Sequence, residues 1–147
     1  MLKDLTNEKL ICLNIEAENW EDAVRKSAEP LLNEGKIKPS YVEEIIATAK
    51  KIGPYFVLAK HVALPHARPE AGALENAIGI ASLKTPIEFG NAANDPVKYL
   101  FCLSARNSDE HLDALAELAE RLDDPEFFKV IDEAQDAKEI MDYLQKL

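Results

Sequence analysis

Val97-Lys98-Tyr99-Leu100-Phe101-Cys102-Leu103-Ser104 is the most apolar run in the chain. A short run of this kind reads as a strand buried on both faces, which places it at the centre of a sheet. Ile11–Ile15, Tyr55–Ala59, His61–Leu64 and Ala77–Leu83 are further strand candidates, the last followed by a turn around Thr85-Pro86. Asn91–Pro96 is a polar loop.

Helical spacing covers the rest. Asn19 stands as the cap of Trp20–Asn33, whose Trp20, Ala23, Val24, Ser27, Ala28, Leu31 and Leu32 share a face, and Gly35 ends it. Pro39-Ser40 opens a second helix, with Ser40 and Glu43 at capping-box spacing, and Gly53-Pro54 stops it. The spacing predicts a third helix over Asp109–Leu122, capped by Ser108, with Leu112, Leu115, Ala116, Ala119 and Leu122 inward. Pro125–Val130 and Ala137–Leu147 complete the set. Strands in the middle with helices at both ends imply an α/β (α+β) chain: a mixed β-sheet of four to five strands sandwiched by helices, in one domain over residues 1–147. Strand order does not follow from the pattern.

Charge and composition narrow the function classes. Lys plus Arg number 17 against 27 Asp plus Glu, a net charge of −10. That argues against nucleic acid or an anionic bilayer as the main partner. No apolar run approaches a membrane span and the N-terminus lacks a secretory pattern, so a cytoplasmic protein is expected. Cys12 and Cys102 fall in strand-like runs without basic neighbours, as reduced core thiols do, although two cysteines also allow a bridge. There is no Gly-rich phosphate loop, no Gly-x-Ser-x-Gly elbow and no Cys-x-x-Cys.

The chemistry therefore falls to three histidines, His61, His66 and His111. Imidazole changes charge near neutral pH, and its neutral form is a good nucleophile towards phosphorus. His66 sits in Pro65-His66-Ala67-Arg68-Pro69, where two prolines stiffen the chain after an apolar strand. Such a histidine is aimed at a partner at little entropic cost. Arg68 is close enough to supply donors to an anion there. The alternative is an exposed loop histidine beside a solubilising arginine. His111 lies in the first turn of its helix, where free N–H groups and the helix dipole favour an anion. A half-buried histidine donating to a backbone carbonyl fits equally well. His61, an odd number of residues before His66, falls on the opposite face if the run between is a strand. A metal site made of all three matches no compact ligand motif.

Ala63-Leu64-Pro65-His66-Ala67-Arg68-Pro69, the strand Ile78–Leu83, Pro86-Ile87-Glu88-Phe89 and Asp95-Pro96-Val97 together resemble the mannitol/fructose class of phosphotransferase-system IIA proteins. The stretch His111–Ala119, with Asp124-Pro125-Glu126-Phe127-Phe128 after it, is similar to the C-terminal helices of that class. Gly53–Ala59, with Arg68-Pro69-Glu70, looks most like its ascorbate-specific subgroup. The resemblance implies a mixed sheet between helices, and a histidine, here His66, that accepts a phosphoryl group from phospho-HPr. It implies transfer onward to a IIB cysteine, which phosphorylates a sugar entering through the membrane IIC component. His111 matches the second histidine of the class, which supports the phosphoryl group and the reactive imidazole. Arg68 and Ser108 are further phosphoryl-binding candidates. The donor bond is already activated, so neither cofactor nor metal is implied. In the mannitol branch an arginine on the preceding helix approaches the site, whereas this chain offers Lys50 and Lys51, which are left without a role. A regulatory module of the same ancestry, and a metal-dependent hydrolase using the histidines, are the competing readings. Oligomeric state stays open.

Overall fold

The computed structural model describes residues 1–147. In chain order the elements are α1 (Leu2–Leu5), a 3-10 turn at Glu8–Leu10, β1 (Ile11–Ile15), α2 (Trp20–Asn33), α3 (Pro39–Ile52), β2 (Val57–Ala59) and β3 (Val62–Ala63). A 3-10 turn at Pro69–Ala71, β4 (Ala77–Ile87), β5 (Val97–Ser104), α4 (Ser108–Leu122), α5 (Pro125–Glu133) and α6 (Ala137–Gln145) follow. The five strands form one mixed sheet in the order β1-β4-β5-β3-β2. β1 runs parallel to β4 and β3 parallel to β5, while β4–β5 and β2–β3 are antiparallel.

β5 is the central strand that its composition demands. Side chains alternate across a strand, so Tyr99, Phe101 and Leu103 enter the core under α4–α6, and Leu100 and Cys102 enter the core under α2 and α3. Both faces are covered, which is why no polar alternation shows in this run. The two cysteines are unpaired, and burial pushes the Cys12 thiol up to about 11 and Cys102 to about 12, so neither is a ready nucleophile. On the α2 side Gly79 allows close approach: a Cβ there would lie 2.6 Å from Leu31 Cδ1.

Most local signals act as expected. Asn19 Oδ1 accepts the Asp22 N–H at 2.9 Å, and α2 stops before Gly35, whose φ is +70°. Several expectations are corrected. Ser40 and Glu43 form no capping box; Ser40 Oγ donates to the Ala71 carbonyl at 2.7 Å, Glu43 pairs with Arg25, and Pro39 opens the helix without a side-chain cap. Thr85-Pro86 is not a turn, because β4 continues to Ile87 and absorbs the proline where its register against β5 shifts between Ser82 and Ile87. β2 starts only at Val57, and His61, at φ +66°, lies in the turn before β3 rather than in a strand. α4 is capped by Asn107, not Ser108. Its inward side carries Ala114 and Leu118, whereas Leu112 is 63% exposed and Ala116 and Ala119 face solvent.

Candidate functional site

Pairing carries the backbone of β3 past its formal end. Leu64 N–H donates to Phe56 and Leu103 N–H to the Pro65 carbonyl at 3.0 Å, so the chain is still fixed to the sheet when it reaches His66. Tyr55 Oη donates to the His66 carbonyl, and the Tyr55 ring lies edge-on to the imidazole at 5.4 Å. One residue later, Ala67 N–H donates to the Tyr41 hydroxyl at 3.1 Å. The loop is thus held from α3, from the segment before β2 and from β5.

The His66 ring is held as well. Its Nδ1 lies 2.6 Å from the Leu64 carbonyl oxygen. A carbonyl only accepts, so Nδ1 carries a proton, and in the neutral ring the lone pair then lies on Nε2. His66 is half-buried and lines a cleft of about 440 Å³.

The opposite wall comes from the start of α4. Asn107 Oδ1 accepts the Glu110 N–H at 2.9 Å, and the Asn107 carbonyl accepts the His111 N–H at 3.0 Å. The N–H groups of Ser108 and Asp109, at the first two helical positions, have no intrahelical acceptor. Arg106 anchors the turn through its N–H to Asn76 Oδ1 at 2.8 Å and its pair with Glu110 at 2.7 Å. This geometry carries the half-buried His111 to His66, with ring centroids 5.3 Å apart and planes inclined at 46°. Burial, and then the neighbouring His66, lower the His111 pKa below the ordinary imidazole value.

Arg68 and Ser108 line the same cleft. Arg68 is 77% exposed, and its Nη2 lies 4.0 Å from Glu44. His61 lies elsewhere, its Nδ1 donating to the Pro96 carbonyl at 2.7 Å. No three His, Cys, Asp or Glu side chains are grouped so as to hold a metal ion. Lys50 and Lys51 are absent from the cleft, and Lys50 pairs with Glu21 at 3.5 Å. Sequence reasoning missed Glu44, Thr48, Tyr55 and Leu112, which complete the walls. Glu44 and Thr48 carried a signal in their helical spacing, since they share the α3 side that also bears Tyr41.

A mixed sheet between helices is the fold of the mannitol-type IIA proteins, and the sequence agrees. Residues 4–147 match the family described as the phosphoenolpyruvate-dependent sugar phosphotransferase system EIIA 2, and the chain belongs to that family. Its members are phosphotransferase components that move phosphoryl groups between proteins. The chain is 40% identical over 110 residues, 75% of its length and 77% of the relative's, to Escherichia coli SgcA, whose name places it among phosphotransferase IIA components. It is 32% identical over 143 residues to the ascorbate-specific PTS EIIA component of Shigella boydii, covering 97% of this chain and 93% of that one. The solution structure of the E. coli mannitol-specific cryptic enzyme IIA CmtB superposes with a TM-score of 0.87 at 33% identity, covering 99% of both chains.

Proposed function

We propose that residues 1–147 act as one IIA unit in which His66 Nε2 takes a phosphoryl group from phospho-HPr and hands it to a cysteine of a IIB partner. The observation that carries this reading is the held ring of His66: Nδ1 bound to the Leu64 carbonyl, which puts the neutral ring's lone pair on Nε2, and the His111 ring centroid 5.3 Å away. In the transfer the donor P–N bond breaks and its electron pair returns to the donor imidazole. A P–N bond forms at His66 Nε2, and the positive charge moves from the donor ring to the His66 ring, whose Nδ1–H stays on the Leu64 carbonyl. Fixing that ring beforehand removes much of the orientational cost of an in-line displacement.

His111, the free N–H groups of Ser108 and Asp109, and the guanidinium of Arg68 supply donors to the phosphoryl oxygens. A neutral His111 is suited to this, since it does not add a second cation beside His66 before the phosphoryl group arrives. No metal enters the step. His66 keeps part of its surface open, so two proteins can reach the one imidazole in turn. IIC is served indirectly, through IIB, and this relay is placed in the cytoplasm; no helix is long and apolar enough to cross a membrane. L-Ascorbate is the proposed sugar, on the strength of the ascorbate-specific relative.

The test is a relay in two stages. The chain is charged with phospho-HPr and then offered a panel of IIB proteins, with ascorbate, mannitol and fructose types included. Discharge to the ascorbate-type IIB ahead of the others supports the reading. Failure to charge removes the carrier role, and preferential discharge to another IIB removes ascorbate.

A further inference from the structure

Glu44 is a carboxylate that lines the same cleft as His66, Arg68 and His111. It is the one carboxylate lining the cleft, and Arg68 is the one arginine or lysine. Glu44 is the only acidic partner of the Arg68 guanidinium, at 4.0 Å. Its own position is set from α3, one turn before Thr48, whose Oγ1 donates to Glu44 Oε1 at 3.5 Å. The carboxylate also reaches the Tyr55 hydroxyl electrostatically, which burial and then Glu44 push up to about 12. The neighbouring Glu43 behaves differently, being turned away to Arg25 on α2.

We infer that Glu44 is a positioning residue that tunes how strongly the cleft holds a phosphoryl group, and that it does so through Arg68. This rests on the phosphoryl-carrier reading above. In the free protein Glu44 is the one carboxylate beside the otherwise unpaired guanidinium, which stays largely in solvent at the cleft. Once His66 carries the phosphoryl group, with about two negative charges, that group and the carboxylate compete for one guanidinium and repel each other. The phosphorylated state is therefore held back from becoming a sink. A carrier needs this property, because a phosphoryl group bound too tightly is not passed on. Pairing one flexible arginine with a carboxylate in the same cleft sets the transfer potential without a metal or a nucleotide.

The test is the equilibrium between HPr and this chain, read as the ratio of phosphorylated to unphosphorylated protein at several HPr-to-chain ratios. Glu44→Gln removes the charge and keeps the shape. It should move the equilibrium constant towards the phosphorylated chain by about three- to tenfold. Glu44→Asp should return it towards the wild-type value. Glu43→Gln, the same charge change one residue away, should leave it in place. A gain in phosphoryl retention is not an effect that structural damage produces. An unchanged ratio in Glu44→Gln, a shift towards phospho-HPr, or an equal shift in Glu43→Gln overturns the inference while leaving the carrier reading intact. If the wild-type chain takes no phosphoryl group on His66, the carrier reading itself fails and this inference goes with it.

Discussion

The Tyr41 hydroxyl accepts the Ala67 N–H at 3.1 Å and donates to the Leu103 carbonyl at 2.7 Å, so a single oxygen on α3 ties the residue after His66 to the central strand. Tyr41 is 1% exposed, and burial raises its pKa well above the ordinary phenol value, so it stays protonated as a donor throughout the physiological range. Tyr41→Phe keeps the packing and removes both bonds. The expected cost is about 1–3 kcal/mol, measured by denaturant unfolding. Phosphotransfer should slow as well, because the His66 loop loses one of its three ties. Unchanged stability together with an unchanged transfer rate would show that the loop is held without it.

His111 gives the protein's stability a pH-dependent contribution of definite sign. His111 has its pKa lowered in the folded protein, by burial first and by His66 second. The unfolded chain therefore binds the proton more readily, and this contribution to stability is intact above the ordinary value of 6.5 and declines as pH falls through it towards the folded value. NMR titration should find His111 titrating below the ordinary imidazole range. In His66→Ala it should move up only part of the way, because the larger cause, burial, remains. A complete return to the ordinary value would mean that charge rather than burial governs the shift.

Leu112 is 63% exposed at the edge of the histidine cleft, where a protein that reaches His66 would cover it. Leu112→Asp should change unfolding stability by less than about 0.5 kcal/mol, as surface substitutions do. It should raise the apparent KM for phospho-HPr or for IIB several-fold while leaving acid-lability of the His66 phosphate unchanged. Kinetics indistinguishable from wild type with both partners would remove Leu112 from the docking surface.

Gly79 has a packing role that no chemistry at the site requires. A methyl group there would meet Leu31, which is fully buried, so Leu31 and α2 have to move off the sheet. Gly79→Ala should cost about 1–3 kcal/mol by thermal or denaturant unfolding. Its phosphotransfer rate per folded molecule should be nearly normal, since α2 contributes nothing to the cleft.

These features differ in how far the sequence alone exposed them. β1 and α2 were legible to the residue, because strand-forming residues, an Asn19 cap and a terminal glycine are local signals. The Thr85-Pro86 region was not. Whether a Pro-containing stretch turns or continues as a bulged strand depends on pairing with β5, which lies beyond a loop. Asn107 and Ser108 are both competent caps one residue apart, and only the bond to the Glu110 N–H separates them. In α4 the leucines at 112, 115, 118 and 122 fit more than one arc of the helix, and contact with the sheet selects the arc that leaves Leu112 outside. His66 was marked by its proline frame. Its meeting with His111 came from family resemblance, since nothing in their spacing brings β3 and α4 together. Glu44 and Tyr55 stayed hidden because α3 and the segment before β2 reach the site only through the strand order β5-β3-β2.

The most direct measurement is heteronuclear NMR of the imidazole nitrogens before and after incubation with phospho-HPr. The expected result is one acid-labile phosphate per chain, on His66, with phosphorus coupled to Nε2 and the proton retained at Nδ1. A phosphate on Nδ1, or full-stoichiometry labelling of His66→Ala, would contradict the role given to the Leu64 carbonyl and to the ring it holds.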